Sequence, residues 1–189
     1  ATVVTNSGTI VAGESGVGVD LLAGADASSI DNTGTITAGF NAVRANGIAD
    51  ITITNGVDGV VSATGPAGVA IALNTTADTV VTNAGLVGGF ITGVEVNNAT
   101  DSAISNVGSV TGGVFGVDIN NAAGSIIDNT GRIEVGLTGA AISTDSGATV
   151  VTNSGTIVAG ESGVGVDLLA GADASSIDNT GTITAGFNA

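Results

Sequence analysis

Forty-two residues, Ala1 to Ala42, recur without a single change as Ala148 to Ala189, an offset of 147 positions. A match of that length marks tandem duplication. Residues 1–147 are therefore read as one full repeat unit and residues 148–189 as the start of the next. A shorter period lies inside the unit. Aligned on one asparagine, the chain reads TNSGTI at Asn6, DNTGTI at Asn32, TNGVDGVV at Asn55, TNAGLV at Asn83, SNVGSV at Asn106 and DNTGRI at Asn129, and the pair returns at Asn153 and Asn179. The spacings are 26, 23, 28, 23, 23, 24 and 26, so each unit holds six coils averaging 24.5 residues. Periods of this size are the signature of solenoids, in which no single repeat can bury its apolar face without a neighbour.

The positions around each asparagine define how a coil is built. Two residues before it stands a β-branched apolar residue in every copy (Val4, Ile30, Ile53, Val81, Ile104, Ile127, Val151, Ile177), and the residue between is always Thr, Ser or Asp. That alternation is a strand with one face in and one face out. Glycine follows two positions after the asparagine and Ile or Val four after, except near Asn55, where two extra residues precede Gly59. The apolar residue, Asn, Gly and the next apolar residue share parity, so the asparagine turns inward at a corner between two short strands. An isolated inward amide is costly to bury. Stacked coils remove the cost, because each amide can donate to the carbonyl of the next, and Asn6, Asn32, Asn55, Asn83, Asn106, Asn129, Asn153 and Asn179 are expected to form one ladder.

A third strand follows in segments such as GVGVDLL (Gly16 to Leu22), GVEV (Gly93 to Val96) and GVDI (Gly116 to Ile119). Equal spacing of 23 predicts that Val81, Ile104 and Ile127 stack, as do Val87, Val110 and Ile133. The same spacing predicts the stacks Val94, Val117, Ala140 and Val96, Ile119, Ile142. The fold class is accordingly all-β, a parallel β-helix or β-solenoid with three short strands per coil. The general preference of parallel crossovers favours a right-handed path.

Composition narrows the function classes. The chain has no Cys, Met, Trp or Tyr, no His, and a formal charge of −15 with Arg44 and Arg132 as its two basic side chains. A basic footprint for nucleic acid is absent, and so is one for an anionic membrane surface. No apolar run reaches the length that spans a bilayer, so no transmembrane segment is expected. The absence of cysteine rules out disulfide staples. Recurrent NSGTI and NTGTI within Gly-rich, Val/Ile-rich coils resembles the β-helical passenger regions of large secreted bacterial surface proteins, the autotransporter-type and two-partner-secreted adhesins and fibres. This resemblance covers essentially the whole chain. It implies export from a Gram-negative cell, passage across the envelope unfolded, and an extracellular or cell-surface location.

Parallel β-helices also carry polysaccharide-degrading enzymes, whose sites need clustered carboxylates, often with a cation beside them. Here the acids are scattered, the two arginines fall in different coils, and histidine, the commonest general base, is missing. The chain is therefore read as a non-enzyme with no cofactor. Asp20 and Asp118 are the calcium candidates, because SGVGVDLLA (Ser15 to Ala23) and GGVFGVDIN (Gly112 to Asn120) resemble single nonapeptides of a calcium-binding β-roll. Those rolls require immediate tandem copies. Alternation instead leaves Asp20 on an outer strand face. Asp26, Asp50, Asp78, Asp101 and Asp173 recur at coil ends and are read as turn residues.

The longest coil contains VSATGPAG with the single proline, Pro66, and Thr64, Gly65, Pro66 and Ala67 are expected to bulge from the rod as a loop able to meet a partner. Phe40, Phe90 and Phe115 lie at glycine-rich corners, where they can fill a widened core, a groove between rods, or a ligand contact. The expected role is structural: a surface fibre, stalk or matrix filament. Its partners are further copies of itself, in the same chain or by end-to-end and lateral association. The alternative is an adhesin that binds a host, surface or glycan ligand through its loops.

Overall fold

The computed structural model describes residues 1–145 and 147–189. Within them the chain winds through eight stacked coils as three parallel sheets, with no helix. Sheet A is built from Val3–Asn6, Ser29–Asn32, Thr52–Asn55, Val80–Asn83, Ala103–Asn106, Ile126–Asn129, Val150–Asn153 and Ser176–Asn179. Sheet B is built from Thr9–Val11, Thr35–Ala38, Val60–Ala63, Leu86–Gly89, Ser109–Gly112, Arg132–Val135, Thr156–Val158 and Thr182–Thr184. Sheet C takes Val17–Leu21, Asn41–Asn46, Val69–Asn74, Thr92–Asn97, Phe115–Asn120, Thr138–Thr144 and Ser162–Leu168. Every pairing joins a strand to its counterpart one coil away. At the ordinary interstrand spacing the eight coils make a rod roughly 37 Å long.

The core is a thin aliphatic column. Ile30, Ile53, Val81, Ile104, Ile127 and Val151 stack from sheet A, and Ile36, Val61, Val87, Val110, Ile133 and Ile157 from sheet B; all are buried. Sheet A runs through the repeat boundary without a change of register, since Ile127 pairs with Val151 and Asn129 with Asn153. The corner between sheets A and B closes on the conserved offset of Asn and Gly within each coil. A Cβ at Gly108 would run into the carbonyl oxygen of Gly85 one coil below, so the backbones there approach too closely for any side chain.

Sheet C departs from the even spacing of 23. Val94 pairs with Val117 and Val96 with Ile119, but Val117 then pairs with Ile142 and Ile119 with Thr144. Ala140 pairs with Phe115 instead. The sixth coil carries two extra residues in its B–C turn, between Val135 and Ala140, which shift the whole third strand by two places. Because a shift of two keeps side-chain parity, Ile142 still faces the core and the pattern by itself cannot distinguish the two registers.

Each strand of sheet C also bends at one place, where two successive residues face inward. Gly116 is one of these: a Cβ there would point at Ile133 in the core and at the Ala141 backbone. The stacked positions are Gly18, Ala42, Ala70, Gly93, Gly116, Ala141 and Gly165, all Gly or Ala. This bend puts Asn41 and Arg44, and likewise Thr92 and Glu95, on the same outer side.

The corner from sheet C back to sheet A is made by residues with positive φ. Asp50, Asp78 and Asp101 have φ of 55°, 50° and 52°, and Thr75, Asn98 and Asn121 occupy the matching earlier position with φ of 52°, 49° and 49°. Asp and Asn tolerate this conformation by local hydrogen bonding. Asp26 serves the same corner differently, accepting a hydrogen bond from the Ala49 backbone N–H of the next coil at 2.9 Å.

Candidate functional site

The inner asparagines form a continuous chain of amide bonds. Nδ2 of Asn6 donates to Oδ1 of Asn32, and the same step runs from Asn32 to Asn55, Asn55 to Asn83, Asn83 to Asn106, Asn106 to Asn129, Asn129 to Asn153 and Asn153 to Asn179, each at 2.7–2.8 Å. Each Nδ2 also reaches backbone carbonyls of the corner, such as Arg132 O at 3.0 Å from Asn106. The ladder is therefore directional. It is structural, because its members from Asn6 to Asn153 are buried.

The same alignment that finds this ladder would also have found a second one, which the sequence reading missed. Asn46, Asn74, Asn97 and Asn120 end successive strands of sheet C and pair in register. Asn97 Nδ2 donates to Asn74 Oδ1 at 3.2 Å and Asn120 Nδ2 to Asn97 Oδ1 at 3.0 Å, in the direction opposite to the inner ladder. Beside it runs a column of outer-face residues: Asp20, Arg44, Ala72, Glu95, Asp118, Ser143 and Asp167.

Asp20 and Asp118 lie in this column four coils apart and do not meet. Asp20 is held by Arg44 through a bidentate pair, Nε to Oδ1 at 2.9 Å and Nη2 to Oδ2 at 2.6 Å. Asp118 is 7% exposed and accepts from Asn120 Nδ2 at 2.9 Å. Burial pushes its carboxyl above the ordinary range, against the opposing effect of its hydrogen bonds from Asn120 and Ser143. Burial likewise raises Glu95, which stacks directly on Asp118. Among the described residues no three acidic side chains converge as a cation site.

Thr64, Gly65, Pro66 and Ala67 form a turn that is tied to the stack at its first two residues and leaves Pro66 and Ala67 exposed. Thr64 N–H and Gly65 N–H bond to Ala38 O and Gly39 O of the coil below, both at 2.9 Å, and Gly68 N–H closes the turn on Gly65 O at 2.8 Å. Three extra residues of this coil, relative to coil two, widen the turn at the B–C corner, and two more lie at the A–B corner before Gly59. Coil one has a similar turn, Gly16 N–H to Gly13 O at 2.8 Å, whereas coil two turns tightly through Gly39 and Phe40. A short corner between two wide ones leaves a groove of about 870 Å³. Glu14 and Ser15 rim one side, Pro66 and Ala67 the other, and Phe40 lies between.

Phe40, 39% exposed, also borders a second concavity of about 400 Å³ on the outer face of sheet C. Arg44, Asn46, Asn74 and Glu95 surround it, and the small side chain of Ala72 makes its floor. Asn41 lines it as well. This residue is 4% exposed, and its side-chain oxygen has no hydrogen-bond partner. The two hollows adjoin at Phe40 and Ala67, and the pair, spanning coils one to four, is termed the trough.

Comparison of the chain with protein-family models, curated proteins and solved structures gives no match. No helix is long and apolar enough to cross a membrane among the described residues.

Proposed function

We propose that this chain is a length-generating structural module, a segment of an acidic β-solenoid that forms a stalk, surface fibre or matrix filament on the exterior of a bacterial cell. One observation carries the reading: the repeat boundary is not a joint. The sixth and seventh coils pair in all three sheets, with Ile127 on Val151, Ile133 on Ile157 and Ile142 on Val166. A unit can thus be added without a linker or a new core. Strict copies suit a spacer, whose task is length, better than an active site. The high negative charge supports solubility of a long polymer, and the cysteine-free, strand-only chain suits export in an unfolded state.

The work of such a module is mechanical. Three sheets of interstrand hydrogen bonds run along the rod, and the amide ladder opposes slippage between coils. No catalytic role is proposed. The test is the mass of the intact native chain under denaturing conditions, with the contour length of the native particle measured by electron microscopy. A covalent chain of many units, with length rising in proportion to mass, is expected. A chain of one or two units that forms no filament would overturn the reading. A short chain forming filaments would place assembly in end-to-end pairing of copies.

The trough around Phe40 favours a second reading, an adhesive rod, because it lies on the outside and the buried side-chain oxygen of Asn41 that lines it has no hydrogen-bond partner.

A further inference from the structure

We propose that the trough on the B–C corner of coils one to four binds a neutral oligosaccharide. The proposal goes beyond the structural reading and does not depend on it.

The trough offers the two kinds of contact that a sugar chain presents. The C–H face of a pyranose ring is apolar and packs on an exposed aromatic ring, which Phe40 supplies between apolar walls at Pro66 and Ala67. Hydroxyl groups need donors and acceptors at the rim. Asn46 and Asn74 provide amides, Glu95 a carboxylate and Arg44 a guanidinium. Few polar groups at the edge of an apolar hollow are the usual make-up of a small-ligand site. Asn41 adds an acceptor without a partner; its terminal amide torsion is soft, so the oxygen can turn toward a ligand hydroxyl.

Other occupants fit less well. An anionic polymer meets a chain of charge −15, Glu14 and Glu95 at the rim, and an Arg44 already paired with Asp20. A peptide adding as a strand needs free backbone groups. At this corner Gly39 N–H is bonded to Gly13 O and Gly65 N–H to Gly39 O, so the stack has used them. The trough extends over about three coil spacings, roughly 14 Å, the reach of a short oligosaccharide.

The chain carries its own control. Phe115 begins the sheet-C strand of coil five and lines neither hollow. The experiment is a titration of the full chain with a β-1,4-linked glucose hexasaccharide, followed by NMR of the aromatic signals of its four phenylalanines. The expected result is a saturable shift of Phe40 and none of Phe115. Phe40→Ala should weaken binding about ten-fold, the worth of one aromatic contact. Asn74→Ala, which leaves the core intact, should weaken it by about five-fold, as for one lost hydrogen bond. No saturable shift, equal shifts of Phe40 and Phe115, or equal binding of a galacturonate hexasaccharide would each overturn the proposal. So would unchanged affinity in Asn74→Ala together with a folded Phe40→Ala variant. None of these outcomes alters the rod's mass or length, so failure here is separable from failure of the structural reading.

Discussion

Asn106 illustrates what one residue does in this stack. Its amide accepts from Asn83 at 2.8 Å, donates to Asn129 at 2.7 Å, and is fully buried. Asn106→Leu fits the apolar setting but leaves an amide nitrogen above or below short of an acceptor and a carbonyl short of a donor. The expected cost is about 3 kcal/mol, since each unpaired buried group costs about 1–3 kcal/mol. Hydrogen exchange should show the loss concentrated in coils four to six; unchanged protection there would refute a stabilising ladder. Asn179→Leu, at an exposed position, should have a much smaller effect. Glu95 and Asp118 make the opposite kind of contribution. Burial raises both carboxyls, so the folded state holds their protons more tightly than the unfolded state does. Stability should therefore rise as pH falls from neutral through their raised pKa values, and level off below the ordinary carboxylate range near about pH 4. Asp145 adds to the repulsion on Asp118, while Glu134, pulled down by Arg132, runs the other way from an exposed position. The double variant Glu95→Gln, Asp118→Asn should melt higher than the parent at neutral pH and gain less on acidification. A parent-like pH profile in that variant would rule these two groups out.

At the scale of the element, the duplicated sequence allows one strand to be compared with itself in two settings. Ile30 and Ile177 occupy identical SIDN strands, yet Ile30 is 1% exposed and Ile177 41%. Within these 189 residues a further coil pairs over the first strand, Ile53 on Ile30, and the second is the last of its sheet. Ile30→Ala should cost about 2–5 kcal/mol, the usual range for emptying a closed core site. Ile177→Ala should cost less, about 1–2 kcal/mol, because the residue is 41% exposed and the site is open on one side. Equal losses in thermal melts would mean that strand propensity, and not stacking, holds these elements. The corner elements follow a different rule. The wide turns of coils one and three each close with a bond of their own, the tight turn of coil two bonds to the coil below, and the groove arises because their lengths differ.

The whole molecule is a sum of such neighbours. Each coil touches the coils above and below, so stability is local and length is open-ended. Joining one further 147-residue unit to the chain should lengthen the particle by about 29 Å, six interstrand spacings, without a change in cross-section. Small-angle scattering measures both quantities. A cross-section that grows while length stays constant would mean that units fold back or pair sideways, contrary to a continuous rod.

The strand pattern, the parallel stacking and the inward corner asparagines were legible in the residues because they depend on parity and on a fixed offset of Asn, Gly and Ile or Val. These are local rules that every coil repeats. The sheet-C register of coil six was not legible, since a shift of two residues preserves parity and leaves no mark in the hydrophobic pattern. Nor was the backbone tie at Thr64 and Gly65, whose N–H groups bond to Ala38 O and Gly39 O of the coil below while Pro66 and Ala67 stay exposed. The trough around Phe40 was equally hidden. Its walls belong to different coils, and its floor is the absence of residues that the neighbouring corners possess. The sequence by itself thus determined the repeating coil, through local periodicity. Only the tertiary structure decided where the surface is hollow, because a hollow depends on the relative lengths of turns that meet only when coils are stacked.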